Sequence, residues 1–287
     1  MLLHSWAMKR YPLPLLAGTV ALLALSTPLP GQLLAARDNS FAVGHHHLNV
    51  TDVESHKRFW ADLLGGEAAM FGNAHVMKFP NTLLFLREQD PTGESNGSTV
   101  NHLGFRVPDL HALVRKLKAA GIEIVTTEVV AGAESDVHHN TGQDVYMAFA
   151  KGPDGIRVEL MEDKALDGIT SHHIHIFTED DAATQAWYVK HFNGKPGMRG
   201  PFKKADVPGI ELTFATAGSP VKPTKGRVLD HIGFEVDDLE AFCKRLESQG
   251  VRFDFPYRRI ESIGLSLAFL TDPWGTYIEL TEGLDKL

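Results

Sequence analysis

Hydrophobic and polar positions follow the same order four times along residues 41–287. Each copy opens with an alternating strand pattern, continues through an aspartate into an amphipathic helical pattern that ends at a glycine, and closes with runs rich in β-branched and aromatic residues. In the second copy Asp109 precedes leucines at helical spacing and Gly121 ends the helix, and the third predicts a helix from Asp181 to Gly194. Each copy therefore predicts one strand, one helix and about three further strands.

The opening segments of the four copies are closely similar. They read GHHHLNVTD, NHLGFRVPD, SHHIHIFTEDD and DHIGFEVDD. Their first histidines, taken as His45, His102, His173 and His231, are 57, 71 and 58 residues apart. This spacing is too long for a solenoid repeat and is typical of a duplicated supersecondary unit. Four copies make two pairs, so we predict an α+β chain.

A polar segment, EDKALDGITS at residues 162–171, separates the second copy from the third. We predict a linker at residues 164–171. It would join two domains, at residues 41–163 and 172–287, each made of two consecutive copies.

Residues 1–40 have a different pattern. Lys9 and Arg10 precede the apolar run PLPLLAGTVALLALS, which is short for a membrane span and is followed by small residues, as in a secretory signal. We therefore expect a secreted or periplasmic protein with no stable membrane span after cleavage. The alternative is a membrane anchor formed by the uncleaved N-terminal segment.

Composition narrows the class of partner and of metal site. The formal net charge is −8 and the pI is near 6.0, without a Lys/Arg run, so nucleic acid is not an expected partner and a small molecule is. Cys243 is the single cysteine, which excludes an intramolecular disulfide and zinc sites built from several thiolates. Any metal must bind to nitrogen and oxygen atoms. The sequence leaves open whether the protein forms a homodimer.

Both halves of the chain carry two histidines and one glutamate at corresponding positions of their repeats. The first half has His45, His102 and Glu159, and the second has His173, His231 and Glu279. Both carboxylates close the spacing P-x-G-x-x-x-E. Two imidazoles and one carboxylate on neighbouring strands can occupy one face of a divalent metal and leave other positions to water or substrate. Taken singly, each histidine could instead be a hydrogen-bonded core residue and each glutamate a solvated surface residue. One of the two sets could also have lost its function and remain only as part of the structure.

These motifs resemble those of the vicinal oxygen chelate superfamily, which includes glyoxalase I, bleomycin- and fosfomycin-resistance proteins and extradiol dioxygenases. The resemblance rests on openings such as H-x-G-F-x-V-x-D and on the closing P-x-G-x-x-x-E-L, and it covers residues 42–285. It implies βαβββ modules that pair into two glyoxalase-like domains with mixed, incompletely closed sheets. It also implies that the three residues named in each half bind a divalent ion, which would be Fe, Zn, Mn or Ni.

The sequence departs from individual members of that family. Extradiol dioxygenases have a catalytic tyrosine ten residues before the glutamate, where this chain has Phe149 and Phe269. Glyoxalase I adds a fourth ligand late in the first module of a pair, and Glu211 stands too early for that role. We therefore expect a metal-dependent enzyme that binds a small oxygenated substrate through vicinal oxygens, as a lyase, an isomerase or a dioxygenase. The alternatives are an extradiol-type dioxygenase that uses Fe(II) and a non-catalytic small-molecule binding protein of the bleomycin-resistance type.

Other histidines are candidates for proton transfer. Strand alternation places His47 and His175 on the same side as the predicted ligands two residues earlier, and it turns His46 and His172 away. The long polar segment at residues 131–144 contains two more histidines, which could supply a proton-transfer group. We therefore name four candidate catalytic residues: His47, His175, His138 and His139.

Overall fold

Four modules succeed one another in the computed structural model, which describes residues 41–284. The first comprises β1 (Phe41–Val50), α1 (Val53–Lys57), a π-helix that continues it (Arg58–Leu63), β2 (Glu67–Phe71), β3 (Ala74–Phe79) and β4 (Thr82–Glu88). The second comprises β5 (Val100–Val107), α2 (Leu110–Ala119), β6 (Glu123–Ile124), α3 (Thr126–Val129), β7 (His138–Asn140), β8 (Val145–Lys151), a 3-10 turn (Pro153–Gly155) and β9 (Arg157–Glu162). The third comprises β10 (Thr170–Thr178), α4 (Asp181–Phe192), β11 (Lys195–Arg199), β12 (Phe202–Val207) and β13 (Ile210–Thr216). The fourth comprises β14 (Leu229–Val236), α5 (Leu239–Ser248), β15 (Phe253–Ile260), β16 (Leu265–Thr271) and β17 (Tyr277–Glu282).

The predicted leader at residues 1–40 lies outside the described residues. Within residues 41–284, none of the helices has the length and apolar character needed to cross a membrane. The predicted order of one strand, one helix and further strands is found in every module, with two additional short elements, α3 and β7, in the second.

An aspartate caps the first helix of every module. Its carboxylate accepts a hydrogen bond from the backbone N–H of the second or third helical residue, a group that the helix itself leaves unpaired. In the third module the N-cap is Asp180 and the left-handed C-cap is Asn193, each one residue before the predicted cap Asp181 and the predicted closing residue Gly194. The four capping residues are Asp52, Asp109, Asp180 and Asp238.

The modules form two open mixed sheets. One has eight strands in the order β15-β16-β17-β14-β1-β4-β3-β2, and the other has nine, in the order β11-β12-β13-β10-β5-β9-β8-β6 with β7 beside β8. The opening strands meet antiparallel at the centre of each sheet, as β1 with β14 and β5 with β10, while each runs parallel to the last strand of its own module. The predicted α+β class with mixed, unclosed sheets is confirmed.

The first module pairs with the fourth and the second with the third, so the prediction that consecutive modules pair within 41–163 and within 172–287 was wrong. The chain does cross between halves where the linker was predicted, because β9 ends at Glu162 and β10 begins at Thr170. The opening strands of all four modules present the same alternation, and a local pattern does not specify which of them becomes the neighbour.

The helices and strands of both sheets share an apolar core, and strand alternation separates that core from the opposite face. On β10, Ile174 and Ile176 belong to the core, whereas His173 and His175 lie on the other face. Consecutive modules contact each other through polar turns. Asp154 accepts hydrogen bonds from the backbone N–H and hydroxyl of Thr51 in the first module.

Two glycines make room for histidine rings across the central strand pairs. Gly233 lies opposite His45, and Gly104 lies opposite His173, in the same register. A Cβ atom built on either glycine would overlap the facing imidazole ring. The glycine of each H-x-G-F motif is thus required by the histidine of another module and not by the motif's own backbone.

We expect Gly233→Ala and Gly104→Ala to destabilise the protein by about 1–3 kcal/mol each, because a methyl group forced into a packed site displaces its neighbours. Urea unfolding would measure the change. Gly168→Ala is the matched control, since its Cβ meets no atom within 4 Å. Unfolding midpoints of the two variants equal to that of the control would contradict the close approach.

Candidate functional site

Two groups of histidine and glutamate side chains converge, one on each sheet. Site I comprises His45, His47, His231 and Glu279, and site II comprises His102, Glu159, His173 and His175. In each group the four potential donor atoms lie within 4.8 Å of one another. The first site is built on β1, β14 and β17, and the second on β5, β9 and β10.

The structure groups the predicted ligands differently from the sequence-based prediction. All six residues predicted as ligands lie in the two groups, but His45 lies with His231 and Glu279 and not with His102 and Glu159. His173, in turn, lies with His102 and Glu159. The exchange follows from the pairing of modules, since the first ligand always comes from the strand that is antiparallel to the second. The ligand roles themselves stay a prediction.

Short distances join the donors of site II. His102 Nε2 lies 2.9 Å from Glu159 Oε2, and His173 Nε2 lies 3.0 Å from the same oxygen. The two Nε2 atoms are 3.4 Å apart, and His175 Nδ1 is 3.2 Å from His102 Nε2. All four side chains are buried.

Site I has the same arrangement around Glu279. Its Oε2 atom lies 2.8 Å from His45 Nε2 and 3.0 Å from His231 Nε2. His47 Nε2 is more distant, at 3.6 Å, and its ring stacks on that of His231. His47 is the one partly exposed member of the two groups.

The donor sets fit a divalent ion. Two atoms that share one ion at about 2.1 Å each lie roughly 3.0–3.5 Å apart, close to the distances of 2.9–3.4 Å between donor atoms of site II. His102 Nε2 lies within hydrogen-bond distance of both His173 Nε2 and His175 Nδ1, and imidazole nitrogens that face one another in this way cannot all be paired by hydrogen bonds. The two groups could therefore hold a metal, and these donors leave its identity open.

Electrostatics keep the donors of site II in the protonation states that a metal requires. Burial alone would raise the pKa of Glu159, but His173 and His102 outweigh it and hold the pKa well below its usual range. Burial lowers the pKa of His173 to about 4 and also lowers the pKa of His102. A metal binds carboxylate and neutral imidazole, so these states favour binding.

The residue before the second histidine differs between the sites. In site II, Asn101 Oδ1 lies 3.0 Å from His102 Nδ1, and in site I, Asp230 Oδ1 lies 2.5 Å from His231 Nδ1. Either oxygen can accept a hydrogen bond from the Nδ1–H group and so leave Nε2 free to bind a metal. Burial would lower the pKa of His231, but the hydrogen bonds to Asp230 and Glu279 outweigh it and raise the pKa.

A cavity of about 550 Å³ lies in front of site II, within the range of small-molecule pockets. His102, Glu159 and His175 form part of its wall. Apolar side chains such as Phe149 and Phe202 form another part. Phe149 is in register with Glu159 on the neighbouring strand and contacts His102 edge-on, with ring centroids 5.1 Å apart.

The other predicted histidines lie outside the two groups. His139 pairs with Asp144 at 3.0 Å, and neither it nor His138 is among the residues that line the cavity. Their predicted role in proton transfer stays a prediction that this placement does not favour. His46 and His172 lie outside the donor groups, as alternation predicted, although His172 Nδ1 is 3.0 Å from His173 Nδ1.

Several residues near site II had no sequence signal that assigned them to it. Arg199, on β11, lies 3.4 Å from Glu159 and 3.6 Å from Glu211. Glu211 is in register with His173 on the adjacent strand, yet it pairs with Lys204 at 2.7 Å and is not among the four donors. Only the register of neighbouring strands, which the sequence does not specify, brings these charges to the site.

Comparison with known proteins gives the following matches. The model of the family described as Glyoxalase/Bleomycin resistance protein/Dioxygenase superfamily matches residues 42–160 and 170–280. No curated protein matches. Among solved structures, glyoxalase I from Zea mays is similar with a TM-score of 0.65 at 15% identity, covering 86% of this chain and 94% of that one. A putative dioxygenase from Bacillus subtilis gives a TM-score of 0.60 at 13% identity and covers 84% of each chain.

These structural likenesses show the fold alone, because both identities are low. The family model spans most of the chain, and its two matched segments correspond to the two halves of the internal duplication. Four modules, two open mixed sheets and a repeated histidine and glutamate group agree with that match. The chain therefore belongs to the Glyoxalase/Bleomycin resistance protein/Dioxygenase superfamily.

Proposed function

We propose that the protein is a metal-dependent enzyme that binds a small substrate through two neighbouring oxygen atoms and acts on it as a lyase or isomerase. One observation carries this proposal. In site II, three imidazoles and a carboxylate converge at the wall of a cavity large enough for a small molecule.

The residues of site II divide the work between binding and proton transfer. His102, His173 and Glu159 would hold the ion. A divalent ion bound there would supply Lewis-acid stabilisation of negative charge on the substrate oxygens. His175 lines the cavity beside the three proposed ligands and its Nε2 atom has no hydrogen-bond partner among the described residues, so we assign proton exchange with the substrate to this side chain. In site I, His47 occupies the corresponding station.

A second candidate is an Fe(II)-dependent ring-cleaving dioxygenase. Two histidines and one carboxylate with open positions are the donor set of many non-haem iron sites. Against it, Phe149 and Phe269 lie in register with Glu159 and Glu279 at the station where extradiol dioxygenases carry a tyrosine, and a phenyl ring transfers no proton. Non-catalytic binding of a small molecule is the third candidate, and it requires no metal.

We expect the wild-type protein to bind about two equivalents of a divalent ion, because it has two complete donor sets. The pair of variants that tests the grouping consists of two double substitutions. His45→Ala/His231→Ala should retain about one equivalent, since both changes fall in site I. His45→Ala/His102→Ala should retain none, since it removes one ligand from each site. Metal analysis after reconstitution with Zn²⁺ and gel filtration would measure both.

His111→Ala is the control for this experiment, because His111 is exposed on α2 and outside both groups. Its stoichiometry should equal that of the wild type. Equal stoichiometry in the two double variants would contradict the grouping of modules. A wild-type protein that stays free of metal after reconstitution would instead contradict the metal-dependent enzyme and favour the non-catalytic binding protein.

The lyase or isomerase and the dioxygenase can be distinguished by the metal that supports activity and by the second reactant. With Zn²⁺, Ni²⁺ or Mn²⁺ we expect turnover of a thiol–aldehyde adduct, followed by absorbance, and a loss of more than about a hundredfold in His102→Ala/His231→Ala. With Fe(II) and catechol we expect no oxygen uptake above that of free iron, because Phe149 and Phe269 offer no proton. Oxygen uptake that the double substitution abolishes would overturn this assignment and select the dioxygenase.

Export from the cytoplasm remains part of the proposal, on the basis of the apolar leader in residues 1–40. We expect the protein in the secreted or periplasmic fraction, with a mature N-terminus near residues 31–40. Cell fractionation followed by N-terminal sequencing would test this. A membrane-bound protein that begins at residue 1 would show that the segment is an anchor.

A further inference from the structure

The two sites share their donors but differ at the residue two positions before the carboxylate. Site II has Arg157 at this station of β9, and site I has Tyr277 at the same station of β17. Residues two apart on a strand point to the same face. Each of these side chains therefore lies on the same side of its sheet as the donors, about 6.6–6.8 Å along the strand from the carboxylate residue.

Arg157 lines the cavity in front of site II and is partly buried. Its Nη1 atom donates a hydrogen bond to Asn101 Oδ1 at 3.2 Å. Among residues 41–284, no carboxylate oxygen lies within 4.0 Å of its guanidinium. Glu128 lines the same cavity but stands beyond that distance. A guanidinium has five N–H donors, so most of those on Arg157 remain available to a ligand.

The other arginine in this cavity has a different environment. Arg199 contacts Glu159 and Glu211 and is nearly buried, so its charge is offset within the protein. Glu94 and Glu128 act on Arg157 only from a distance, and Glu94 pairs with Lys151 at 2.7 Å, so Arg157 is the arginine of the cavity without a direct carboxylate partner among the described residues. Arginine binds carboxylates with two parallel hydrogen bonds, which a partly buried site strengthens.

Site I has Tyr277 in place of an arginine at the corresponding position of β17, and the cation beside that ring is a lysine. The Tyr277 ring stacks on Phe269 with centroids 5.2 Å apart, and Lys225 lies over the same ring at 4.2 Å. The residue behind the second histidine is also the anionic Asp230 in site I, where site II has the neutral Asn101. Lys225 is a point charge held over the ring and Asp230 is anionic, so site I offers no two-pronged guanidinium to a substrate carboxylate.

We propose that site II takes a substrate that carries a carboxylate beside its two metal-binding oxygens, with Arg157 as the residue that binds the carboxylate. Site I does not share this selectivity. The inference rests on the proposed function, because it assumes that an ion in site II holds the vicinal oxygens.

The test compares two proteins that each retain one site. His45→Ala/His231→Ala leaves site II, and His102→Ala/His173→Ala leaves site I. Each is loaded with Zn²⁺ and titrated calorimetrically with 3,4-dihydroxybenzoate and with its methyl ester. Both probes offer the same pair of oxygens, and only the acid carries a carboxylate.

The site II protein should bind the acid at least about tenfold more tightly than the ester, and the site I protein should not show this preference. Adding Arg157→Met to the site II protein should reduce the preference to that of site I while the ester still binds with similar affinity. Arg157→Lys should restore part of it. Arg115→Met, which removes an exposed arginine of α2 outside the cavity, should leave the preference unchanged.

Equal preference in the two single-site proteins would overturn the inference, and so would a preference that survives Arg157→Met. Loss of zinc from Arg157→Met would overturn it as well, since Arg157 would then act on His102 through Asn101 as a positioning residue. In each of these outcomes the two single-site proteins without the Arg157 substitution still bind zinc and the ester. If those two proteins bound neither zinc nor the ester, the proposed function would be overturned, and the inference with it.

Discussion

The antiparallel pairing of opening strands at the centre of each sheet is the contact on which the fold and both sites depend. It brings together residues that are far apart in sequence, since His45 and Glu279 are 234 positions apart and lie within hydrogen-bond distance. The same pairing sets Gly233 against the His45 ring, where any side chain would occupy its space. A site of this kind does not exist within one module. Its rigidity is therefore that of the central strands of a sheet.

Such a framework orders the side chains of both groups without requiring an ion. Three buried imidazoles and one carboxylate at distances of 2.9–3.4 Å would be an unfavourable group without mutual hydrogen bonds or a cation. The carboxylate of Glu159 is stabilised by two histidines, whereas Nε2 of His175 has no partner among the described residues. The sheet thus holds a partly unsatisfied polar group in place, as functional sites often do, and the packed core on its other face supplies the stability that offsets this cost.

Periodicity and duplication were sufficient to predict the modules, three of their four aspartate caps and the residues that form the donor groups. They were not sufficient to predict which modules pair. The opening strands β1 and β10 carry nearly the same alternation, so the hydrophobic pattern satisfies either partner equally, and the choice depends on long-range geometry. The predicted ligand sets inherited this error. Arg199 was missed for the same reason, since it reaches Glu159 from an edge strand of a different module.

Duplicated donors do not imply duplicated chemistry, because the side chains around them have diverged by position. In site I, His45 and His47 are in register with Leu83 and Phe85 on the adjacent strand. In site II, His173 and His175 are in register with Glu211 and Thr213. An apolar neighbour lowers the local polarity, whereas Glu211 brings Arg199 and Lys204 close to the donors. A sheet tolerates such exchanges because alternation confines them to the face opposite the core. The two sites can therefore change their ligands independently while the strand pairing that creates them stays fixed.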